Sequence, residues 1–338
     1  MITLQEIKEL LDKSENPLIF YDDDPDGLCS FLLVMQYLKR GNGVILKNSP
    51  TLDANYITIV RQYAPDFVLV LDKPIISQDF LDAMHVPVAW IDHHPAVDVK
   101  GVKYFNPRIA NARDNRPTTY WCYEMVRGKP WIALLGIVSD WSLASFAELS
   151  KNYSELVGNK RIQRPDDAYG TALGKLIRIC SFALKGKTKW VYVFVNLMMG
   201  VEEPDEILEQ KTIAGKRIYA RFEKINAIYE ELLEKAMALQ KEKFLVFTYV
   251  NDRCSFTSDL ANELLSRTKA RFIFVGREDK GEMKASLRNR EGSIQIPPLI
   301  QKALDGLNGY GGGHDHAAGC CVKMSDFPEF IERLKKLA

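Results

Sequence analysis

The chain lacks a dominant charge. Its 45 Lys and Arg against 44 Asp and Glu leave a formal +1 over 338 residues, so no global basic excess marks it as a nucleic-acid binder. Long hydrophobic runs are missing too: FVLVL around Val68 and WIALLGIV around Leu134 fall far short of the ~20 apolar residues of a membrane helix. The opening MITLQEIKELLDK is a charged amphipathic pattern without a signal-peptide core, so no membrane association is expected. Cysteine is sparse. The six present (Cys29, Cys122, Cys180, Cys254, Cys320, Cys321) form no C-x-x-C pair, and a chain this long buries a core without disulfides, which points to a reducing, cytoplasmic setting. Nucleotide-binding signatures fail as well: Gly170–Lys175 is one residue short of a P-loop and is followed by Leu176, and neither G-x-S-x-G nor a dinucleotide G-x-G-x-x-G is found.

What is there is an ordinary globular composition, 46% hydrophobic and 26% charged, long enough for two domains. Over the first ~140 residues short apolar runs alternate with helical patterns. PLIFY, GVILKNS, FVLVLD and VPVAWIDHH read as strands; Ser30–Arg40, YITIVRQYA and SQDFLDAM read as helices, the last with Ser77 as N-cap. This order predicts βαβ units and a mostly parallel sheet whose ligands sit outside the carboxyl ends of the strands. Glu203 to Lys243 reads as a helical connector, and a second α/β segment begins at Phe244. The expected division is 1–190, a connector 191–243, and 244–338.

Acidic residues and histidines gather at the ends of these elements. Asp22, Asp24 and Asp26 stand in the string DDDPDG after the first strand. An EF-hand would need a Glu at loop position twelve, where Leu33 stands, and a preceding helix. If the chain stays extended, the three carboxylates face one side, a crowding that a cation relieves; a solvated turn is the other reading. Asp72 ends FVLVLD, Asp92-His93-His94 ends the VPVAWI strand, and Asp140 ends IALLGIVSD, also read as a strand. Each lone Asp alone is a common cap. Four such sites at one sheet edge suit Mn²⁺ or Mg²⁺ rather than zinc. Only five histidines exist, and four lie in two short strings, His93-His94 and His314/His316; His85 reads as a surface residue.

The string Gly309-Tyr-Gly311-Gly312-Gly313-His314-Asp-His316-Ala317-Ala318-Gly319 exposes backbone N–H groups to an anion, and its small AAG tail reads as a packed helix start rather than a loose turn. Upstream, Lys284, Ser286, Arg288 and Arg290 share one face of an extended strand, a donor set for phosphate or else a solvated basic edge. Between Arg267 and Arg290 eight Lys/Arg stand against three Asp/Glu, so the basic residues concentrate here while the acids concentrate at the start.

Taken in order, these motifs resemble the DHH phosphoesterase superfamily, and within it the RecJ-like single-strand exonucleases of compact archaeal type. Asp22-x-Asp24-x-Asp26-Gly27, Asp72, Asp92-His93-His94 and Asp140 match the four DHH motifs, and Gly312-Gly313-His314-x-x-Ala317-Ala318-Gly319 matches the DHH-associated C-terminal domain. One departure stands out: Asp72 is followed by Lys73-Pro74, where RecJ-like chains usually carry a small residue and Gly. The resemblance implies an α/β DHH domain and a smaller α/β associated domain joined by a helical connector, with the active cleft between them. It implies two Mn²⁺ ions (Mg²⁺ as the alternative), one held by Asp22, Asp24 and Asp72, the other by Asp26, Asp72, His93 and Asp140. Asp92 would orient His93 and His94 would contact the scissile phosphate, while Ser286, Arg288, Gly311, Gly312, Gly313 and His314 would bind substrate. The implied activity is exonucleolytic hydrolysis of single-stranded DNA or RNA, in association with replication or repair proteins. Hydrolysis of very short oligonucleotides or adenosine bisphosphate, and a non-catalytic replication-associated binding module, are the other readings.

Overall fold

The computed structural model describes residues 2–47, 51–159, 161–239, 243–250, 254–290 and 294–338, without the side chains of residues 166 and 314. It divides into two compact units, Met1–Leu184 with Thr188–Phe222, and Lys185–Lys187 with Glu223–Ala338.

In the first unit, continuous apolar runs make strands buried on both faces, as parallel sheets require. They are β1 (Pro17–Asp22), β2 (Asn42–Leu46), β4 (Phe67–Leu71), β6 (Val88–Ile91) and β7 (Lys103–Phe105), all parallel in the order β2-β1-β4-β6-β7. The expected GVILKNS strand therefore ends at Leu46, and Asn48 and Ser49 lie outside the described residues. A short parallel pair, β3 (Thr51–Leu52) and β5 (Ile75–Ile76), lies apart from this sheet. Leu18, Phe20, Val68, Val70 and Trp90 pack on one face with Phe80 from the helix Gln78–Asp82, which Ser77 caps as expected. The chain runs from β1 to β2 on one side and later places β4 on the other. Such a switch point opens a crevice at the carboxyl ends of the strands.

Two local expectations are corrected. The run ending at Asp140 is a helix, Pro130–Ser139, with Asp140 as its C-cap. Trp131 to Val138 are buried throughout, so no polar face betrayed the helical period. The aspartate string is not extended: the chain turns into the helix Pro25–Leu38 at Asp24, which caps it by accepting from Gly27 N at 2.9 Å.

The second unit holds β8 (Phe244–Val250), β9 (Phe272–Asp279), β10 (Glu282–Asn289), β11 (Gly309–His314) and β12 (Ala317–Lys323) in the order β11-β12-β10-β9-β8, parallel only between β8 and β9. The glycine-rich string is thus the edge strand of a hairpin, not a helix start. The bare Cα of Gly311 lets β11 lie close on β12, where a Cβ would meet Gly319 O at 2.8 Å. Met283, Ala285 and Leu287 pack with Ile300 and Phe330, from the helices Ile296–Leu304 and Phe327–Leu337. Within the expected connector the structure has the helices Asp205–Leu208 and Ile213–Met237.

Candidate metal centre

Asp22, Asp72 and Asp92 stand at the carboxyl ends of the adjacent strands β1, β4 and β6. Gly27 lets the helix Pro25–Leu38 close down on β1, since a Cβ there would sit 2.6 Å from Asp22 O. The close approach carries Asp26 inward until it is 1% exposed. Its carboxylate accepts the backbone N–H groups of Thr118 at 3.0 Å and Thr119 at 2.8 Å, the first donors of the helix Thr118–Val126.

Asp72 follows β4 with φ +58°, a left-handed conformation that costs a non-glycine residue ~1–2 kcal/mol. It is fully buried and accepts from Thr118 Oγ1 at 3.0 Å. His93 faces it. Its Nε2 lies 3.5 Å from Asp72 Oδ1, 3.5 Å from Asp140 Oδ2 and 3.8 Å from Asp26 Oδ2. Its Nδ1 lies 3.4 Å from Asn115 O. An Nδ1–H donated to that carbonyl leaves the Nε2 lone pair aimed at the carboxylates, the tautomer of a metal-ligating imidazole. Burial holds the His93 pKa below the ordinary imidazole value although Asp26 pulls it up, so the ring favours the neutral form that ligands need.

The carboxylates show the cost of crowding. Burial first, then the charges of Asp26, Asp24, Asp22 and Asp140, push Asp72 well above the carboxylate range. Asp140 is raised in the same way by burial and by Asp26 and Asp24, with Arg108 opposing. Asp24 is pushed up to about 7 by its packed surroundings and by Asp22 and Asp26, although its residue surface is solvent-exposed, which screens part of that effect. Donor atoms of one octahedral ion with bonds near 2.1 Å lie about 3 Å apart. The observed 3.5–3.8 Å separations, too long for hydrogen bonds, need only a slight contraction to surround a hard divalent cation. Asp26, His93 and Asp140 form one such group, and Asp72, His93 and His94 another. These residues fit a divalent ion by donor chemistry and spacing.

Asp92 does something other than expected. It does not orient His93; it orients His94, because the two strand-end neighbours turn opposite ways. Asp92 is fully buried, and its Oδ1 lies 2.7 Å from His94 Nδ1. Its Oδ2 accepts from His94 N, Tyr104 OH and Asn106 Nδ2 at 3.1, 3.2 and 3.1 Å. Burial lowers the His94 pKa, but the bond to Asp92 and the charges of Asp92, Asp24 and Asp26 outweigh it and leave the pKa raised. Asp22 is likewise engaged: its Oδ1 pairs with Lys73 Nζ at 2.6 Å. The Thr118 and Thr119 amides and Asn106 were invisible in the sequence, since backbone donors and lone polar residues carry no motif. Lys73 was visible only as a departure.

In the second unit, Ser286 and Arg288 lie on the face of β10 opposite its buried residues, as the alternation predicted. That face meets the helix Thr257–Arg267. Ser286 Oγ donates to Thr257 Oγ1 at 3.0 Å. Arg288 donates to Asn262 Oδ1 at 2.6 Å, Ser258 Oγ at 2.7 Å and Leu287 O at 2.8 Å. Three of its five N–H donors are thereby used. Arg290 lies beyond the strand and donates to Ala270 O at 3.1 Å. Gly312 differs from Gly311: a Cβ there would meet nothing within 4 Å. Gly313 and His314 pair with Ala318 and Ala317; the His314 side chain lies outside the described residues.

Residues 253–338 match the DHHA1 domain family. No curated protein sequence matches the chain. Among solved structures it is similar to RecJ in complex with Mn²⁺ from Thermus thermophilus, with TM-score 0.67 and 17% identity, covering 98% of this chain and 54% of that one. The chain carries the RecJ-like DHH fold with a C-terminal DHHA1 domain. An exonuclease RecJ bound to manganese aligns with TM-score 0.62 and 16% identity over 99% of this chain and 94% of its own. An exopolyphosphatase-related protein from Bacteroides fragilis aligns with TM-score 0.51 and 16% identity, over 98% and 95%. The chain therefore spans about half of the Thermus RecJ but nearly all of the other two. The chain shares this fold with RecJ, and two groups of its residues have the spacing to hold a metal ion.

Proposed function

We propose that this DHH protein is a metal-dependent phosphodiesterase that removes nucleotides from the ends of single-stranded nucleic acid. The observation that carries this reading is His93: its Nε2 is turned by Asn115 into three carboxylates at 3.5–3.8 Å, spacing that suits cation ligands and no direct hydrogen bond. Asp26, Asp72, His93 and Asp140 would hold a divalent ion, Mn²⁺ or Mg²⁺, which supplies Lewis-acid charge to a phosphoryl group. The Thr118 and Thr119 amides and the Thr118 hydroxyl fix Asp26 and Asp72 for that task. His94, whose pKa is raised by its bond to Asp92, would place an N–H donor on the phosphate or on the leaving oxygen. In the DHHA1 domain, the remaining donors of Arg288 and the open backbone at Gly312 would bind the phosphate chain, together with Ser286, Gly311, Gly313 and His314. Support for a nucleic-acid substrate comes from the two RecJ structures sharing the fold and from the eight basic residues between Arg267 and Arg290.

The test is hydrolysis of 5′- and 3′-labelled single-stranded DNA and RNA and of dinucleotides, with Mn²⁺, with Mg²⁺ and with EDTA. Mn²⁺- or Mg²⁺-dependent loss of terminal nucleotides is the expected result. Cleavage confined to dinucleotides would replace the exonuclease with a short-oligonucleotide hydrolase. Absence of cleavage on every substrate would overturn the catalytic reading.

A further inference from the structure

The resemblance to RecJ-like proteins implies a pair of ions, one of them on Asp22, Asp24 and Asp72. The structure gives Asp22 another partner. Lys73 Nζ lies 2.6 Å from Asp22 Oδ1, with the Lys73 side chain 1% exposed and Asp22 23%. A side chain of four methylenes and an ammonium is thus enclosed beside the carboxylate cluster.

The backbone holds it there. The left-handed turn at Asp72 redirects the chain as it leaves β4. Pro74 confines residue 73 to extended conformations. The Lys73 carbonyl accepts the Trp90 indole N–H at 2.9 Å, and Trp90 is fully buried and stacked on Tyr104 with ring centroids 3.9 Å apart.

The ligand geometry divides along the same line. Among the described residues, the donor atoms near enough to one another for an ion belong to Asp26, Asp72, His93, His94 and Asp140, and neither Asp22 nor Asp24 joins them. Resting on the metal-dependent reading above, we propose that the Lys73 ammonium takes the place of one of the two ions, so that this centre binds a single divalent cation at Asp26, Asp72, His93 and Asp140. A fixed cation on Asp22 relieves the carboxylate crowding, and a divalent ion placed beside it would meet like-charge repulsion in a partly dry site.

The experiment counts ions in the full chain. After chelator treatment and dialysis, Mn²⁺ is titrated by calorimetry, and the loaded protein is examined by electron paramagnetic resonance. The wild type is expected to take one Mn²⁺ with the spectrum of an isolated ion. Lys73→Met should take two, with spin-coupled signals, and Lys73→Arg should take one. Two coupled Mn²⁺ ions in the wild type would overturn the proposal and leave the metal-dependent reading standing. No Mn²⁺ at millimolar concentration would overturn both. A folded Lys73→Met that still binds one ion would overturn the role of Lys73; if that variant fails to fold, the wild-type count decides.

Discussion

Replacing Asp92 by Asn removes one negative charge and almost no volume from a fully buried position. An Asn oxygen in the place of Oδ2 keeps the three bonds from His94 N, Tyr104 OH and Asn106 Nδ2. The amide nitrogen then replaces Oδ1, 2.7 Å from His94 Nδ1, and as a donor it forces that ring nitrogen to accept. The imidazolium loses a charge-assisted hydrogen bond worth about 1.5–3 kcal/mol, or about 1–2 pKa units. The His94 side chain is 36% exposed, so solvent screening favours the lower end, a fall of about one unit. Burial, no longer opposed by Asp92, then draws His94 down toward the ordinary imidazole value of ~6.5, with only the charges of Asp24 and Asp26 still holding it up. The assay is a two-dimensional NMR titration of the imidazole resonances in metal-free protein, with only five histidines to assign. Turnover at neutral pH should fall several-fold in parallel, because a group that titrates near neutrality loses roughly two-thirds or more of its charged fraction when its pKa drops by about one unit. A His94 midpoint unchanged in Asp92→Asn, or raised, would refute this account of the pair.

Asp72→Gly relieves a left-handed backbone and removes a buried carboxylate, so the metal-free variant should melt higher, by ~1 kcal/mol of strain alone, while cleavage is abolished. Asp72 and Asp140 have folded pKa values above their unfolded ones, so the metal-free fold retains protons the unfolded chain has lost and their contribution is lost as pH rises above ~4. The melting-temperature gain from Mg²⁺ should therefore grow between pH 5 and pH 8; a gain that shrinks would contradict the crowding argument. Arg288→Ala removes three hydrogen bonds, costing about 1–3 kcal/mol in denaturant melts, and should flatten the salt dependence of single-strand binding by about one phosphate contact. Gly312→Ala should melt like wild type, having open space for its methyl, yet bind single strands more weakly; equal binding would remove Gly312 from the substrate surface.

Much of this was legible in the sequence because parallel strands announce themselves. FVLVL and VAWI are buried on both faces, so their apolar runs are unbroken, and the acids that follow fall at one sheet edge by topology alone. The same property misled at Trp131–Val138, where a helix buried all round looks like a strand. The glycine signature was recognisable, but its secondary structure was not, because glycine has no preference to read. Side-chain pairing was the least legible layer. Adjacent His93 and His94 take opposite partners, Asn115 and Asp92, and Asp26 is satisfied by amides 92 and 93 residues away. Lys73 shows the complementary case, in which a departure from the expected motif carried the information.

Whether His93 holds an ion can be seen by anomalous diffraction from crystals of the full chain grown with Mn²⁺. One anomalous peak is expected about 2–2.3 Å from His93 Nε2 and from oxygens of Asp26, Asp72 and Asp140, with Lys73 still on Asp22. No peak within bonding distance of His93 would contradict it.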